Sequence, residues 1–243
     1  LLSDYFDIKI KRFGSRAILL EWPDLISENT LFEIKTVEHL IKGDFNDEII
    51  DTVETYNSLT VFPDVNKHSL DVWIKRITSL ALRSESFIDS KLSKVWQVPV
   101  CYDEEFGIDL KQMSISLKIP IEEIVELHSM PEYLVYFIGF LPGFLYLGGL
   151  DERLYYPRKS IPRAKIAKGS IAIGGRQTGI YPNVSPAGWS IIGRSPVNFF
   201  EIGQSQPTFA VSGDKVKFIP VSKKGYDCIH SEVVSRKYII KHE

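Results

Sequence analysis

Cysteine is nearly absent from this 243-residue chain: Cys101 and Cys228 stand far apart, with no CxxC pattern and no paired histidines nearby. That excludes a disulfide framework and a structural zinc site and makes a reducing, cytoplasmic setting the expectation. Long apolar runs are equally scarce. The longest uncharged stretch, Tyr133 to Leu150, is broken by Gly139, Pro142, Gly143, Gly148 and Gly149, so a strand and an irregular loop are expected there and not a membrane span. Leu1-Leu2-Ser3-Asp4 lacks the basic start and apolar core of a signal peptide. No histidine lies between residues 139 and 196, which leaves a Ser-His or Cys-His hydrolase inside that segment without its base.

What is present is an ordinary globular composition, 44% hydrophobic and 25% charged, which rules out disorder and collagen-like repeats. The formal charge of −2 conceals an uneven distribution. Between Gly139 and Pro196 eight basic residues face two acidic ones, a local +6 that leaves −8 for the rest of the chain. The same segment holds ten of the sixteen glycines. A basic, glycine-rich segment in a mildly acidic protein points to a small anion and away from nucleic acid, which requires a broad basic surface.

Periodicity divides the chain in two, 1–92 and 93–243. Strand patterns at Ile8 to Lys11 and Ala17 to Leu20 flank a Phe13-Gly14-Ser15 turn. A helix follows through Leu31, Ile34, Val37, Leu40 and Ile41, with Ser27 as N-cap and Gly43 as its stop. Strands at Glu48 to Glu54 and Ser58 to Phe62 precede a helix carrying Leu70, Trp73, Ile74, Ile77 and Leu80. The order β-β-α-β-β-α predicts helices on one face of an antiparallel sheet. The polar stretch from Ser84 to Lys94 reads as a linker. Beyond it come a strand at Val95 to Val100, two short helices around Leu110 to Leu117 and Ile121 to Leu127, and a β-rich remainder with Gly/Pro turns that predicts a closed or nearly closed barrel. The second short helix carries Glu122, Glu123 and Glu126, which would repel phosphates and excludes a DNA-reading role. His128 ends that helix, where it would cap carbonyls.

Neither phosphate-loop motif occurs: Gly174-Gly175-Arg176-Gln177-Thr178-Gly179 has the wrong spacing. Arginine is the sharper signal. Pro157-Arg158 and Pro162-Arg163 lie five residues apart, and Arg194 follows Gly193; a guanidinium fork matches a carboxylate or phosphate. Gln177, Thr178 and Tyr181 add neutral donors and acceptors suited to an amide or lactam. Phe140, Phe144, Tyr146 and Trp189 stand next to glycines, either as core or as a shared apolar pocket wall.

The run Gly139-Phe140-Leu141-Pro142-Gly143-Phe144-Leu145-Tyr146-Leu147-Gly148-Gly149-Leu150-Asp151 resembles the signature of the family that includes the PxpB subunit of 5-oxoprolinase, the kinase inhibitor KipI and allophanate hydrolase subunit 1. Pro157-Arg158, Pro162-Arg163, Gly169-Ser170, Gln177 to Pro182, and Ser185-Pro186 through Gly188-Trp189 to Gly193-Arg194 resemble its later blocks in order. Ala187 stands where a second glycine is usual, and Gly213-Asp214 lacks the common proline before it. The resemblance implies an α+β protein with a ferredoxin-like N-terminal domain and a cyclophilin-like β-barrel C-terminal domain. It also implies a PxpC-like partner with a homologous barrel, a PxpA-like partner of LamB/YcsF type, and ATP-dependent opening of 5-oxo-L-proline to L-glutamate. ATP with Mg2+ would then act at the level of the complex, with no covalently bound cofactor and no metal site in this chain. Arg158, Arg163 and Arg194 would bind carboxylate or phosphate, Gln177 and Thr178 would position the lactam, and Tyr181 would close the pocket, with the catalytic acid and base unassigned. The family leaves two alternatives open: a KipI-like inhibitor of histidine kinase autophosphorylation, and a subunit of allophanate or urea metabolism.

Overall fold

The computed structural model describes residues 8–23, 26–81 and 93–243. The chain forms two compact units, Leu1–Lys91 and Leu92–Glu243, and most of the polar stretch from Ser84 to Lys94 lies outside the described residues.

In the first unit, β1 (Lys9–Phe13) and β2 (Ala17–Glu21) form an antiparallel pair across a turn at Gly14, whose φ of +66° suits glycine. α1 (Glu28–Phe45), β3 (Ile49–Glu54), β4 (Ser58–Pro63) and α2 (Leu70–Ala81) follow. The sheet order is β1-β2-β4-β3, antiparallel throughout. Ile18, Leu20, Leu59 and Val61 meet Ile34, Val37, Ile41, Trp73 and Ile77 in one core. Element order is the expected β-β-α-β-β-α, which differs from the β-α-β-β-α-β chain order of the ferredoxin-like motif. Ser27 caps α1 by accepting from the Thr30 N–H at 3.1 Å. Gly43 does not stop the helix. A terminating glycine takes a left-handed φ, whereas the helix runs on to Phe45, whose ring packs edge-on against Trp73 at 5.4 Å.

The second unit contains β5 (Val95–Val100), α3 (Leu110–Leu117), α4 (Ile121–Ser129), β6 (Glu132–Ile138), β7 (Leu145–Gly148), β8 (Arg163–Ile166), β9 (Ser170–Gly174), β10 (Gln177–Ile180), β11 (Ser185–Ala187), β12 (Ser190–Arg194), β13 (Lys215–Pro220), α5 (Lys223–Val234) and β14 (Lys241–His242). Eight of these strands form one sheet in the order β12-β9-β10-β7-β6-β13-β5-β14, and β8 with β11 forms a separate pair. The uncharged run from Tyr133 becomes β6, a hairpin loop and β7; no described helix is long and apolar enough to cross a membrane.

Among the described residues, no strand ladder closes this sheet into a barrel. Its seam is joined at two points instead. Cys101, just past β5, exchanges both backbone bonds with Arg194 at 2.9 Å, and the Asp109 N–H donates to the Ile191 carbonyl at 2.9 Å. Gly107 sits between these points, and a Cβ there would come within 2.5 Å of the Ile192 carbonyl oxygen. The inner face of the curled sheet, with Val98, Val135, Leu147, Ile173, Ile180, Ile192 and Phe218, encloses a core completed by Leu110, Met113, Ile124 and Leu127 from α3 and α4.

Candidate functional site: an arginine over an aromatic floor

On the opposite face of the same strands, Ala172, Gly174 and Gly179 leave little side-chain volume on β9 and β10. Gly179 of β10 lies in register with Ala172 of β9 on one side and Tyr146 of β7 on the other. A Cβ at Gly174 would lie 2.4 Å from the Trp189 ring, and one at Gly179 would lie 2.9 Å from the Phe144 ring. Small residues here are therefore the space into which rigid rings settle. Phe144 packs edge-on against Tyr181 at 5.0 Å and Trp189 at 5.7 Å, and leans on Tyr146 at 4.7 Å, the geometry that ring quadrupoles favour. Ile166, Ala187 and Ile191 complete this second apolar cluster.

Arg158 is carried over the floor by two backbone stitches. Tyr156 pairs with Gly175 at 3.1 and 2.7 Å, and the Lys159 N–H donates to the Gly188 carbonyl at 2.7 Å. Pro157 between them has no N–H to satisfy and holds its own φ. The guanidinium carbon consequently stands 6.0 Å from the Trp189 ring centroid, within cation–π range. Arg158 is exposed and forms no ion pair among the described residues. Gln177 lies on the same face, opposite Gly174 in the β9–β10 register.

Burial pushes the Tyr181 hydroxyl up to about 12 and raises that of Tyr146, with the nearby Arg158 charge opposing both shifts. Both phenols stay neutral at physiological pH and serve as hydrogen-bonding groups instead of bases. The arrangement offers one uncompensated cation, one carboxamide and two neutral hydroxyls around an apolar floor. A guanidinium beside neutral donors and acceptors is the chemistry that pairs with a carboxylate and an amide.

Of the six residues expected at the site, the fold brings Arg158, Gln177 and Tyr181 to this face. Thr178 points the other way, into the core, where alternation along β10 must send it. Its hydroxyl donates to the Ala172 carbonyl at 3.1 Å and lies 2.9 Å from His128 Nε2. Since that hydroxyl proton is already used, Nε2 carries the hydrogen, and Nδ1 accepts from the Tyr102 hydroxyl at 2.8 Å. His128 is therefore no carbonyl cap: it is fully buried, stacked on Phe218 at 4.6 Å, and burial holds its pKa down to about 3.

Arg163 is engaged elsewhere. Its guanidinium grips Asp109 in a two-bond fork of 2.8 and 2.7 Å, the Lys159 ammonium adds a contact of 2.9 Å, and the Ile191 N–H donates to the same carboxylate at 2.7 Å. Burial pushes the Asp109 carboxyl up, but these three donors outweigh it and hold its pKa below the ordinary value. Arg194 stands five residues along β12 from Trp189, about 17 Å of extended chain, with its guanidinium 5.0 Å from the Phe106 ring. Sequence reasoning missed Asp109 altogether. Its place before α3 resembles a helix cap, yet its side chain makes no capping bond.

The carboxyltransferase domain family, subdomains C and D, matches residues 8–210, and the chain belongs to that family. It is 35% identical over 234 residues to the B-type subunit of 5-oxoprolinase from Bacillus subtilis (strain 168), a match that covers 92% of this chain and 97% of that protein. Among solved structures it is similar to TTHA0988, with a TM-score of 0.74 and 28% identity over 85% of this chain; the match spans only 40% of that longer chain. The urea amidolyase of K. lactis shares the fold at a TM-score of 0.82 and 19% identity, covering 97% of this chain and 16% of that one.

Proposed function

We propose that this chain serves as the PxpB subunit of an ATP-dependent 5-oxoprolinase complex that converts 5-oxo-L-proline to L-glutamate. One observation carries the reading: Arg158, without an acidic partner among the described residues, stands over the Trp189 face, on the same sheet face as Gln177, where the Trp189 and Phe144 rings cover Gly174 and Gly179. Arg158 would take the substrate carboxylate, Gln177 the lactam amide, and Tyr181 would supply wall and hydroxyl. Thr178 and Arg163 act on this face through the strands they fix, and Arg194 acts at the seam. A five-membered lactam is a poor electrophile, so phosphorylation of its oxygen by ATP, with Mg2+ as that co-substrate's companion, would make ring opening feasible. This chain's part is to hold the ring still and match charge at its carboxylate.

A relative named as one subunit of an enzyme supports the need for others, which in this reading are the PxpC-like and PxpA-like LamB/YcsF-type chains, in the cytoplasm. In the same reading the second unit is a cyclophilin-like domain, and the first is ferredoxin-like in packing two helices on a four-stranded antiparallel sheet but not in its chain order. Co-purification with those partners, followed by measurement of glutamate formed from 5-oxo-L-proline with and without ATP, tests it. ATP-dependent glutamate formation is expected. An inert complex, together with inhibition of histidine kinase autophosphorylation by this chain, would overturn the reading in favour of a KipI-like role.

A further inference from the structure

Phe140, edge-on to two rings of the aromatic floor, is left mostly uncovered by the fold. It is 66% exposed, and its φ is +60°, in the left-handed region that a side chain with a Cβ rarely adopts. The loop that carries it is tied down. Gly139 N–H donates to the Phe144 carbonyl at 3.1 Å, Leu141 N–H to that of Gly139 at 2.6 Å, and Phe144 N–H to that of Leu141 at 2.9 Å. Gly143, at φ +86°, packs so closely that a Cβ would lie 2.7 Å from the Phe199 carbonyl oxygen. From this anchored base the Phe140 ring stands edge-on to Phe144 at 5.7 Å and to Tyr181 at 6.5 Å.

Neither the backbone nor the core gains from phenylalanine at this position. Glycine would relieve the φ, and a ring left in water contributes little burial. A residue held against its conformational preference by a fixed loop, with its ring exposed beside the aromatic cluster, serves something outside the fold. In the substrate reading above, on which this inference rests, Arg158 and Gln177 account for the carboxylate and the amide. The two ring methylenes of 5-oxoproline remain, and they require an apolar cover.

We infer that Phe140 is the specificity-determining wall of the site, packing on the ring methylenes of the bound cyclic substrate and rejecting rings that carry a polar group there. The test uses the reconstituted complex with wild type, Phe140→Gly and Phe140→Tyr, measuring KM and kcat for 5-oxo-L-proline and for 2-oxoimidazolidine-4-carboxylate, in which an N–H replaces a ring methylene. Phe140→Gly is expected to raise KM for 5-oxo-L-proline about tenfold or more, to lower kcat by less than about threefold, and to shrink the preference over the polar ring to below about threefold. Its melting temperature should equal or exceed that of wild type, since strain is removed. Phe140→Tyr should keep KM within about threefold, because it keeps the ring face. An unchanged KM and ring preference in Phe140→Gly, or a lowered melting temperature that accounts for the loss, overturns the inference while the substrate reading stands. A wild-type complex that does not act on 5-oxo-L-proline overturns both.

Discussion

Asp109 and Arg163 face each other fork to fork, at 2.7 and 2.8 Å, across 54 residues of sequence. The pair ties β8, whose Ile166 packs in the aromatic cluster, to the seam beside β12, since the same carboxylate receives the Ile191 N–H. Only 6% of the Asp109 side chain is exposed, against 32% for Arg163. Removing one partner of such a pair leaves a buried charge without its match.

Asp109→Ala is therefore expected to destabilise the second unit by about 2–3 kcal/mol, less than for a wholly buried pair because the guanidinium keeps some water. Chemical denaturation of both proteins checks this. The pH dependence has a definite sign. Because the folded carboxyl has the lower pKa, its contribution is complete above the ordinary value of 3.8 and disappears as pH falls through the folded value. The wild-type advantage over Asp109→Ala should narrow only in strong acid.

His128 acts over a different pH range. Its folded pKa of about 3 lies below the ordinary 6.5, so between those values the unfolded chain binds a proton that the folded chain refuses. Stability should fall on acidification from pH 6.5, by up to about 1.4 kcal/mol per pH unit. His128→Gln keeps an N–H donor for Thr178 and lacks the titration. Melting temperatures measured from pH 4 to 7 should be flatter for the variant, and equal slopes would refute the burial argument.

Arg158 and Arg194 should separate cleanly by substitution. On the proposed 5-oxoprolinase reading, Arg158→Ala is expected to raise KM for 5-oxo-L-proline in the reconstituted complex by about 10–100-fold, the worth of a charged hydrogen-bond pair. Arg194→Ala, remote from the floor, should chiefly lower stability through lost packing on Phe106. Equal KM effects from both would mean that the two arginines share one site.

Gly174→Ala tests the floor. Its new methyl would meet the Trp189 ring at 2.4 Å, and a rigid indole can yield only by moving. A loss of about 1–3 kcal/mol is expected, together with a changed Trp189 fluorescence spectrum measured against Trp189→Phe. Gly175→Ala, with open space around it but φ at +65°, should lose stability without altering that spectrum.

Much of the architecture was legible because it depends on local rules. Alternation marked β1, β2 and the strands around Ser170 and Ser190, and 3.6-residue spacing marked α1, α2 and α4. The sum of charges over Gly139 to Pro196 also located the segment that builds the floor. The helix stop expected at Gly43 and the carbonyl cap expected at His128 give way for one shared reason. A local signal was overridden by burial, of Phe45 against Trp73 in one case and of an imidazole between Tyr102 and Thr178 in the other.

The amino-acid order by itself determined which residue types cluster: arginines after prolines, aromatics beside glycines, and an amide-bearing strand in a basic segment. Only the tertiary structure decided what each of them faces. Strand alternation turned Thr178 inward while Gln177 and Gly179 stayed on the outer face. A carboxylate 54 positions upstream claimed Arg163, and the length of β12 carried Arg194 away from Trp189, leaving Arg158 as the cation over the floor. Side-chain direction and long-range charge pairing depend on contacts between residues distant in sequence, which no local pattern encodes.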